Sequence, residues 1–303
     1  MIIIRVMGGL GNQLQQYALY RKFGSLGIEA KLDISWFSAD IQAQMRAPRE
    51  LELCRFEELF METAQADEVR ALLGRTYEER AGIMERIRRR FAPGTLPVFE
   101  ESKMFHEEIF SLRDRYLVGY FACEAYYADI LKLLQKEIRF PASDNSRNRE
   151  TMEEMQKQTA VSIHVRRGDY LDAVNAANFG GICTDEYYDR AINYIKERFP
   201  AAVFYIFSDD TDYVRARFQG QEYRIVDWNR GKDSFYDMQL MSNCHHNICA
   251  NSTFSFWGAR LNAHDGKCMI RPSVHRNTQI CPSQELQKLW RAWTLITPGG
   301  EVV

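Results

Sequence analysis

Residues 2–34 read IIIRVMGGLGNQLQQYALYRKFGSLGIEAKLDI, which is the pattern of a strand, a helix and a second strand. The apolar run 2–6 suits a buried strand, and the glycines after it permit a tight turn. Apolar side chains then recur near helical spacing over 13–26, and 30–34 is a second short apolar run. The stretch therefore predicts a βαβ unit, in which the two strands are parallel.

The rest of the chain continues this alternation. Further strands are predicted at 118–121, 161–165, 203–207, 223–226, 247–250 and 269–271, and helices at 64–73, 77–90, 126–136, 185–198, 211–218, 234–243 and 254–263. Such alternation is typical of an α/β protein with mainly parallel, doubly wound sheets. Residues 141–158 begin with the polar run PASDNSRNRE, so we predict a linker there between two domains, residues 1–140 and 159–303.

Composition excludes several classes of protein. The 303 residues include 39 Lys and Arg and 41 Asp and Glu, a net charge of -2, which argues against a nucleic-acid partner. No run approaches the roughly 20 apolar residues of a transmembrane helix, and seven scattered cysteines suit a reducing compartment. We expect a cytoplasmic protein without a transmembrane segment, and peripheral contact with the inner membrane stays an open alternative.

Two local patterns suggest a metal: the tandem Asp209 and Asp210, which alone are a weak indication of Mg²⁺, and the stretch CHHNIC at 244–249, which suggests zinc. Structural zinc sites combine two knuckles with closer cysteine spacing, and this chain has no second knuckle. A helix end leading into a buried strand, with the sulfur atoms as small core groups, is the favoured interpretation. We therefore expect no metal site.

Three polar groups each follow an apolar strand in the second half of the chain. They are HVRRGDY at 164–170, SDD at 208–210 and NSTFS at 251–255. The carboxyl ends of parallel strands form the ligand crevice of an open sheet, so all three groups are expected to meet a ligand there.

The first group contains two adjacent arginines. Arg166 and Arg167 are costly to half-bury unless an anion or a carboxylate pairs with them. A guanidinium fork matches phosphate oxygens, and Gly168 lets the backbone pass close to a ligand. Since adjacent strand residues face opposite ways, one arginine is expected to grip a phosphate and the other to pair with Asp169 or another carboxylate. An internal arginine–aspartate brace without a ligand is the alternative.

The residues of the second group are predicted to have two different roles, capping a helix and binding a ligand. Ser208 or Asp209 is predicted to cap the helix at 211–218, and Asp210 is predicted to bind a guanine edge or ribose hydroxyls.

The third group precedes a helix. Asn251, Ser252, Thr253 and Ser255 are predicted to direct backbone N–H groups and hydroxyls at an anion, which is compatible with a plain N-cap.

The loop GGLGNQ at 8–13 lies where a dinucleotide-binding loop would lie. Its glycine spacing differs from G-x-G-x-x-G, so it is a weak indication of an NAD-dependent oxidoreductase. Together with the basic second half, it favours a close-approach loop facing a ligand held by the other domain. Gly9 and Gly11 would permit that approach, and Asn12 and Gln13 would offer amide donors to a phosphate or sugar.

Taken together, these motifs resemble those of bacterial α-1,2-fucosyltransferases, glycosyltransferase family 11. The matching stretches are 8–14, 164–170, 207–210 and 251–259, supported by 33–37, 119–121 and 234–238. The resemblance implies a GT-B-like architecture of two facing Rossmann-like domains and inverting transfer of L-fucose. GDP-β-L-fucose would be the donor, the 2-hydroxyl of a terminal galactose in an oligosaccharide or lipid-linked glycan the acceptor, and no metal or cofactor would be needed.

The resemblance also suggests roles for individual residues. Arg166 would bind the β-phosphate, His164 would lie near the nucleoside and Asp210 would bind guanine. From the residues themselves, Arg166 and Asp169 are the catalytic candidates. The general base is not identified, and Asp169 is a candidate for it only if its carboxylate is not held by an arginine. The full donor-binding set is His164, Arg166, Arg167, Ser208, Asp209, Asp210, Asn251, Ser252, Thr253 and Ser255. A nucleotide-sugar-binding or glycan-binding protein without catalysis is the alternative function.

Overall fold

The computed structural model describes residues 1–79, 96–168, 173–278 and 281–303. Within them the chain forms two compact units, Met1–Arg139 and Phe140–Val303. Each unit is built on a fully parallel sheet with helices between its strands. The predicted α/β fold with Rossmann-like, parallel-sheet units is confirmed.

The first unit has four strands in the order β2-β1-β4-β3. The strands are β1 (Ile2–Arg5), β2 (Ala30–Asp33), β3 (Val98–Glu100) and β4 (Arg115–Val118). Its helices are α1 (Leu10–Ser25), α2 (Ala39–Gln42), α3 (Ala66–Leu73) and α4 (Leu131–Glu137), with 3-10 turns at Ser35–Phe37, Glu52–Arg55, Glu107–Ser111, Glu124–Tyr126 and Ala128–Ile130. The βαβ prediction for 2–34 is confirmed, because β1 and β2 pair in parallel with Ile2 opposite Ala30.

The second unit has six strands in the order β10-β9-β8-β5-β6-β7. The strands are β5 (Ala160–Val165), β6 (Val203–Ser208), β7 (Tyr223–Val226), β8 (His246–Ile248), β9 (Met269–Pro272) and β10 (Trp293–Ile296). The helices are α5 (Ser146–Gln156), α6 (Ala173–Phe179), α7 (Asp185–Lys196), α8 (Thr211–Arg217), α9 (Phe235–Asn243), α10 (Thr253–Leu261) and α11 (Ser283–Leu289), with a 3-10 turn at Gly231–Ser234.

The central strands of the second unit are buried on both faces. Phe204 and Ile206 pack into one apolar cluster, and Tyr205 and Phe207 pack into another. Helices cover both faces of such a sheet, which is why its strands are continuous apolar runs instead of alternating ones. From β5 the chain winds to β6 and β7 on one side and then to β8 on the other side, so the sheet changes winding direction between β5 and β8.

The predicted linker is wrong as a structureless segment. Residues 141–158 contain α5, which belongs to the second unit and packs against α9. Asn145 begins this helix by accepting a hydrogen bond from the backbone N–H of Arg147, and Asn148 is fully buried in a hydrogen-bonded pair with Asn229. Polar composition misled the prediction, because the buried amide of Asn148 is satisfied by Asn229, which is 81 residues away in the chain.

Three further elements differ from the sequence prediction. The strand expected at 118–121 lies at Arg115–Val118, because the chain turns at Phe121, whose φ is +49°. The helix expected at 126–136 is two 3-10 turns followed by α4. Of the helix expected at 77–90, residues 77–79 are bends, and the remainder falls outside the described residues.

Candidate functional site

The carboxyl edge of the second sheet collects the polar groups that follow β5, β6 and β8. Val165 at the end of β5 pairs with Ser208 at the end of β6, and β8 pairs with β5 on its other side. The 166–168 loop therefore lies between the 209–210 loop and the residues 251–255, which we call the 251–255 turn. Open α/β sheets bind ligands where the winding direction changes, and here that place is between β5 and β8.

Arg166 forms an ion pair with Asp209. Its Nη1 lies 3.0 Å from Asp209 Oδ2, and both side chains are partly exposed, at 30% and 26%. The other oxygen, Asp209 Oδ1, accepts the backbone N–H groups of Arg167 and Gly168 at 3.0 and 3.1 Å. A Cβ at position 168 would lie 2.7 Å from Asp209 Oδ2, so a larger residue there would displace this carboxylate oxygen. One carboxylate thus fixes both the guanidinium and the loop that carries it.

Arg167 pairs with the next aspartate. Its Nε donates to Asp210 Oδ2 at 3.0 Å, and its guanidinium lies 3.9 Å from the ring centroid of Tyr213. Asp210 Oδ1 accepts the backbone N–H of Tyr213, so Asp210 is the N-cap of α8. This hydrogen bond and the one from Arg167 lower the pKa of Asp210 below its ordinary value. Ser208 Oγ accepts the backbone N–H of Asp210.

The predicted cap is wrong, because Asp210, and neither Ser208 nor Asp209, caps the helix. The binding of a guanine edge or ribose by Asp210 stays a prediction. Asp210 caps the helix, whereas Asp209 holds Arg166 and its loop. Both arginines pair with a carboxylate, which matches the internal brace that the sequence left open. Because all four side chains remain partly exposed, the brace lies at the surface of the sheet edge, where an added anion could reach it.

His164 is buried one residue before the end of β5. Burial and the nearby Arg166 lower its pKa to about 3, so its ring is neutral at neutral pH. Its backbone carbonyl accepts the hydroxyl of Tyr188, and its ring lies 5.8 Å from that of Phe254. Among the described residues, Nδ1 of this histidine has no hydrogen-bond partner.

The 251–255 turn joins β8 to α10. Ser252 is the N-cap residue and Thr253 the first residue of the helix, so the turn presents backbone N–H groups at a helix N-terminus. The side chains behave differently from the prediction. Asn251 Nδ2 donates to the carbonyl of His275, and Ser255 Oγ donates to the carbonyl of Ser252, so both groups support the turn itself.

A buried basic cluster next to this turn was missed by the sequence analysis. Arg260 and Arg271 are fully buried, and Arg271 lies 4.2 Å from the ring centroid of Trp290. Burial, together with Arg271, Arg276 and Arg260, lowers the pKa of His275 to about 3. Arg271 lies in β9, directly before its last residue, and a charged residue at the end of an apolar run was the signal that could have revealed it.

Polar groups at the glycine loop of the first unit form hydrogen bonds to other parts of the same chain. Helix α1 begins at Leu10. Of the four residues predicted to face a ligand, Gly9 precedes the helix, and Gly11, Asn12 and Gln13 lie within it. The backbone N–H of Leu10 donates to Glu52 Oε2, whose pKa is raised by burial. Gln13 is fully buried, and its amide nitrogen donates to the carbonyls of residues 8 and 50.

The predicted role of Gln13 as a ligand donor is therefore wrong, because both ends of its amide are used internally. Its Oε1 accepts the backbone N–H groups of Glu52 and Leu53. The side chain binds the segment before the Glu52–Arg55 turn to the glycine loop. Asp33, the last residue of β2, likewise has internal partners, because it accepts hydrogen bonds from the Tyr116 hydroxyl and the backbone N–H of Ser35.

The remaining features concern the candidate base Asp169, the cysteines, metal-ligating side chains and the length of the helices. The catalytic candidate Asp169 lies outside the described residues. All seven cysteines are free thiols, and Cys244 and Cys249 are buried core groups. In the described ranges, no three His, Cys, Asp or Glu side chains are arranged to hold a metal ion. Among the helices that the structure describes, none has the length and apolarity of a membrane-spanning segment.

Comparison with known proteins adds a family match. The family model described as "Glycosyl transferase family 11" matches residues 104–294, which include the whole sheet edge described above. The Alpha-1,2-colitosyltransferase of Escherichia coli is 36% identical over 159 residues, 52% of this chain and 54% of that protein.

Two further relatives share shorter stretches. The O-antigen biosynthesis glycosyltransferase WbnK of Escherichia coli is 41% identical over 113 residues, 37% of each chain. The Galactoside alpha-(1,2)-fucosyltransferase 1 of Aotus azarae is 27% identical over 145 residues, 47% of this chain and 38% of that protein. The chain thus spans about half or less of the length of the curated relatives it matches.

Proposed function

The chain belongs to glycosyl transferase family 11, and from that membership we propose that it transfers L-fucose from GDP-β-L-fucose to the 2-hydroxyl of a terminal galactose, with inversion. The observation that carries the proposal is the position of Arg166 and the 251–255 turn on either side of the change in winding direction. A guanidinium and helix N-terminal N–H groups suit the diphosphate of a nucleotide sugar.

The proposed reaction is a single displacement. The oxygen of the galactose 2-hydroxyl forms a bond to the anomeric carbon of fucose, while the bond from that carbon to the β-phosphate oxygen breaks. The electron pair of the broken bond leaves with GDP, and the hydroxyl proton passes to a base, for which Asp169 is the candidate. Preorganised donors beside the leaving phosphate stabilise the charge that develops on it.

Arg166 is the proposed source of most of that stabilisation. A guanidinium carries five N–H donors in a fork that matches phosphate oxygens, and the contact with Asp209 positions that fork at the sheet edge. Asp209 then acts as a positioning residue, because it holds both the guanidinium and the backbone of residues 167 and 168. With cations and N–H groups supplying the charge, we expect no requirement for a divalent metal, and EDTA should leave the rate unchanged.

A second donor is favoured by one specific observation. The relative that is 36% identical over 159 residues is named as a colitosyltransferase with α-1,2 specificity. The GDP moiety would contact the same arginine and turn in either case. Transfer of colitose to the same hydroxyl is therefore the alternative, and the donor sugar distinguishes the two activities.

The test is a transfer assay with matched donors. The purified chain is incubated with a terminal galactoside and with GDP-fucose, GDP-colitose or GDP-mannose, and the glycan product is identified by mass spectrometry and NMR. An α-1,2-linked fucosyl product supports the first proposal, and a colitosyl product supports the second. Release of GDP without a glycan product would indicate hydrolysis only, and binding of GDP-fucose without turnover would favour a non-catalytic binding protein.

A further inference from the structure

The first unit has its own change in winding direction, between β1 and β4. From β1 the chain reaches β2 on one side, whereas β4 and β3 lie on the other side. The loop after β1 contains Gly8 and Gly9, and the loop after β4 contains Gly119, Tyr120 and Phe121. In an open parallel sheet this is the place where a ligand binds.

The loop after β4 is held in a strained and rigid form. Phe121 has a φ of +49°, which costs energy for a residue other than glycine, and its side chain is fully buried against Tyr126. Glu101 Oε2 accepts the backbone N–H groups of Tyr120 and Phe121, each at 2.9 Å. A Cβ on Gly119 would lie 2.5 Å from Glu101, so glycine is required at that position.

A second brace links this loop to the glycine loop. Gln16 is fully buried in α1; its Nε2 donates to the carbonyl of Gly119 at 2.8 Å, and its Oε1 accepts the backbone N–H of Met7 at 3.0 Å. One amide therefore fixes the distance between the chain leaving β1 and the chain leaving β4. Tyr120 lies between the half-buried Gly119 and the buried Phe121, and it is itself 37% exposed.

Neighbouring strand ends continue the same surface. Trp36 follows β2, and its ring stands edge-on to Phe37 at 5.0 Å. The Arg49 guanidinium lies beside Gly9, 3.9 Å from the position of a Cβ there. We call Trp36, Gly9, Arg49 and Tyr120 the aromatic edge. Its three strand ends are spaced about 4.8 Å apart, so an extended ligand could lie across them.

We propose that the aromatic edge is the acceptor-glycan subsite and that Tyr120 stacks on a pyranose ring of the acceptor. A pyranose has a C–H face that packs on an aromatic ring and a rim of hydroxyls that accept hydrogen bonds from a guanidinium such as Arg49. The exposed part of the Tyr120 ring offers too little apolar area for a protein partner. The inference rests on the proposed transfer to a glycan and names the residues that would select the acceptor.

The ordered backbone of residues 119–121 reduces the conformational entropy that would be lost when a ligand binds. A tyrosine on a mobile loop would lose conformational freedom on binding, whereas Tyr120 is already fixed by the backbone contacts with Glu101 and Gln16. Those contacts involve only backbone atoms at positions 119–121. Replacement of the Tyr120 side chain therefore leaves the loop intact and removes only the stacking surface.

The test compares Tyr120→Ala with Tyr120→Phe and with the matched control Phe60→Ala. Phe60 is a more exposed aromatic residue of the same unit, at 68%, and lies outside the aromatic edge. Losing one stacking ring should raise the acceptor KM of Tyr120→Ala about tenfold and leave the donor KM within about twofold. Tyr120→Phe and Phe60→Ala should retain the wild-type acceptor KM.

A donor-independent measurement separates this inference from the proposed function. Saturation-transfer NMR records binding of a galactose-terminated disaccharide to the wild type and to Tyr120→Ala without any nucleotide sugar. If the wild type transfers sugar but Tyr120→Ala keeps its acceptor KM and its NMR signal, the subsite is overturned and the function stands. If no sugar is transferred but binding depends on Tyr120, the function fails and the subsite stands. Absence of both transfer and binding overturns both.

Discussion

Arg166 and Arg167 are adjacent in sequence, yet each pairs with a different aspartate on the neighbouring strand end. Strand geometry points successive side chains to opposite faces, and the two aspartates that follow β6 meet them one by one. The consequence is chemical as well as structural. Arg167 is fixed at the start of α8 against the ring of Tyr213, whereas Arg166, in the loop after β5, is held by Asp209 in the loop after β6.

Arg166→Ala is the residue-scale prediction. Loss of a guanidinium that acts only on the leaving group should lower kcat by about 10² or more with little change in acceptor KM. The fold should persist, because Asp209 keeps its two backbone hydrogen bonds. Steady-state transfer kinetics measure the effect, and Arg190→Ala, which removes a partly exposed arginine paired with Glu197, is the matched control. Near-normal turnover of Arg166→Ala would remove Arg166 from the mechanism.

At the scale of elements, α5 is attached to the rest of the second unit by a polar network. Asn148 exchanges hydrogen bonds with Asn229 and accepts one from the indole of Trp228. Asn229 also donates to Asp237 Oδ1 at the start of α9. Burial raises the pKa of Asp237 to about 7, although the hydrogen bond from Asn229 lowers it. Helix α5 is thus connected, through Asn148 and Asn229, to the carboxyl group of Asp237, whose pKa is raised.

This raised pKa predicts a pH-dependent stability. Between about pH 4 and pH 7 the folded state keeps a proton on Asp237 that the unfolded state has lost, so stability falls as pH rises through this window. Asp237→Asn stays neutral and can still accept the hydrogen bond from Asn229. The variant should therefore match the wild type near pH 4 and exceed its free energy of unfolding by about 2–4 kcal/mol at pH 8.

Urea unfolding followed by tryptophan fluorescence measures this difference, because four of the five tryptophans lie in the second unit. The control is Asp233→Asn, an exposed aspartate in the turn before α9. That variant should show the same pH dependence as the wild type. Equal destabilisation of Asp237→Asn at both pH values would contradict the assignment of this titration to Asp237.

At the scale of the whole molecule, each unit carries its own parallel sheet and its own carboxyl edge. The proposed donor contacts lie in the second unit, and the aromatic edge lies in the first. The two substrates of a transferase would then be recognised by separate sheets. Ligand effects on the two units should consequently be separable by experiment.

Hydrogen–deuterium exchange in the presence of GDP tests this division. Binding to the native state stabilises the amides that it orders, so exchange should slow at 166–168, 208–210 and 251–255. Amides of β1 and β2 should show no change with GDP alone. A control with UDP should give weaker protection. Protection confined to residues 1–139 would show that the nucleotide binds to the first unit, which would contradict our proposal.

Much of the fold and the location of the candidate site follow from the sequence. Strand and helix periodicity is local, so the βαβ unit at 2–34 and five strands of the second sheet could be predicted from apolar spacing alone, whereas β10 was missed. The polar residues after β5, β6 and β8 could also be predicted to share one edge, because parallel strands end on the same side. Element ends and the segment 141–158 were less accessible, since they depend on distant hydrogen-bond partners.

The tertiary structure alone assigned the partners. Arg167 and Asp210 are 43 residues apart, and no local pattern states which aspartate caps α8 and which one holds Arg166. The sequence suggests that the Gln13 amide could bind a ligand. In the folded chain its nitrogen donates to the carbonyl of Glu50 and its oxygen accepts the N–H of Leu53, about 40 positions away. The physical reason is the same in each case: periodicity is encoded by neighbours in the chain, whereas the satisfaction of a buried polar group depends on what the folded chain brings beside it.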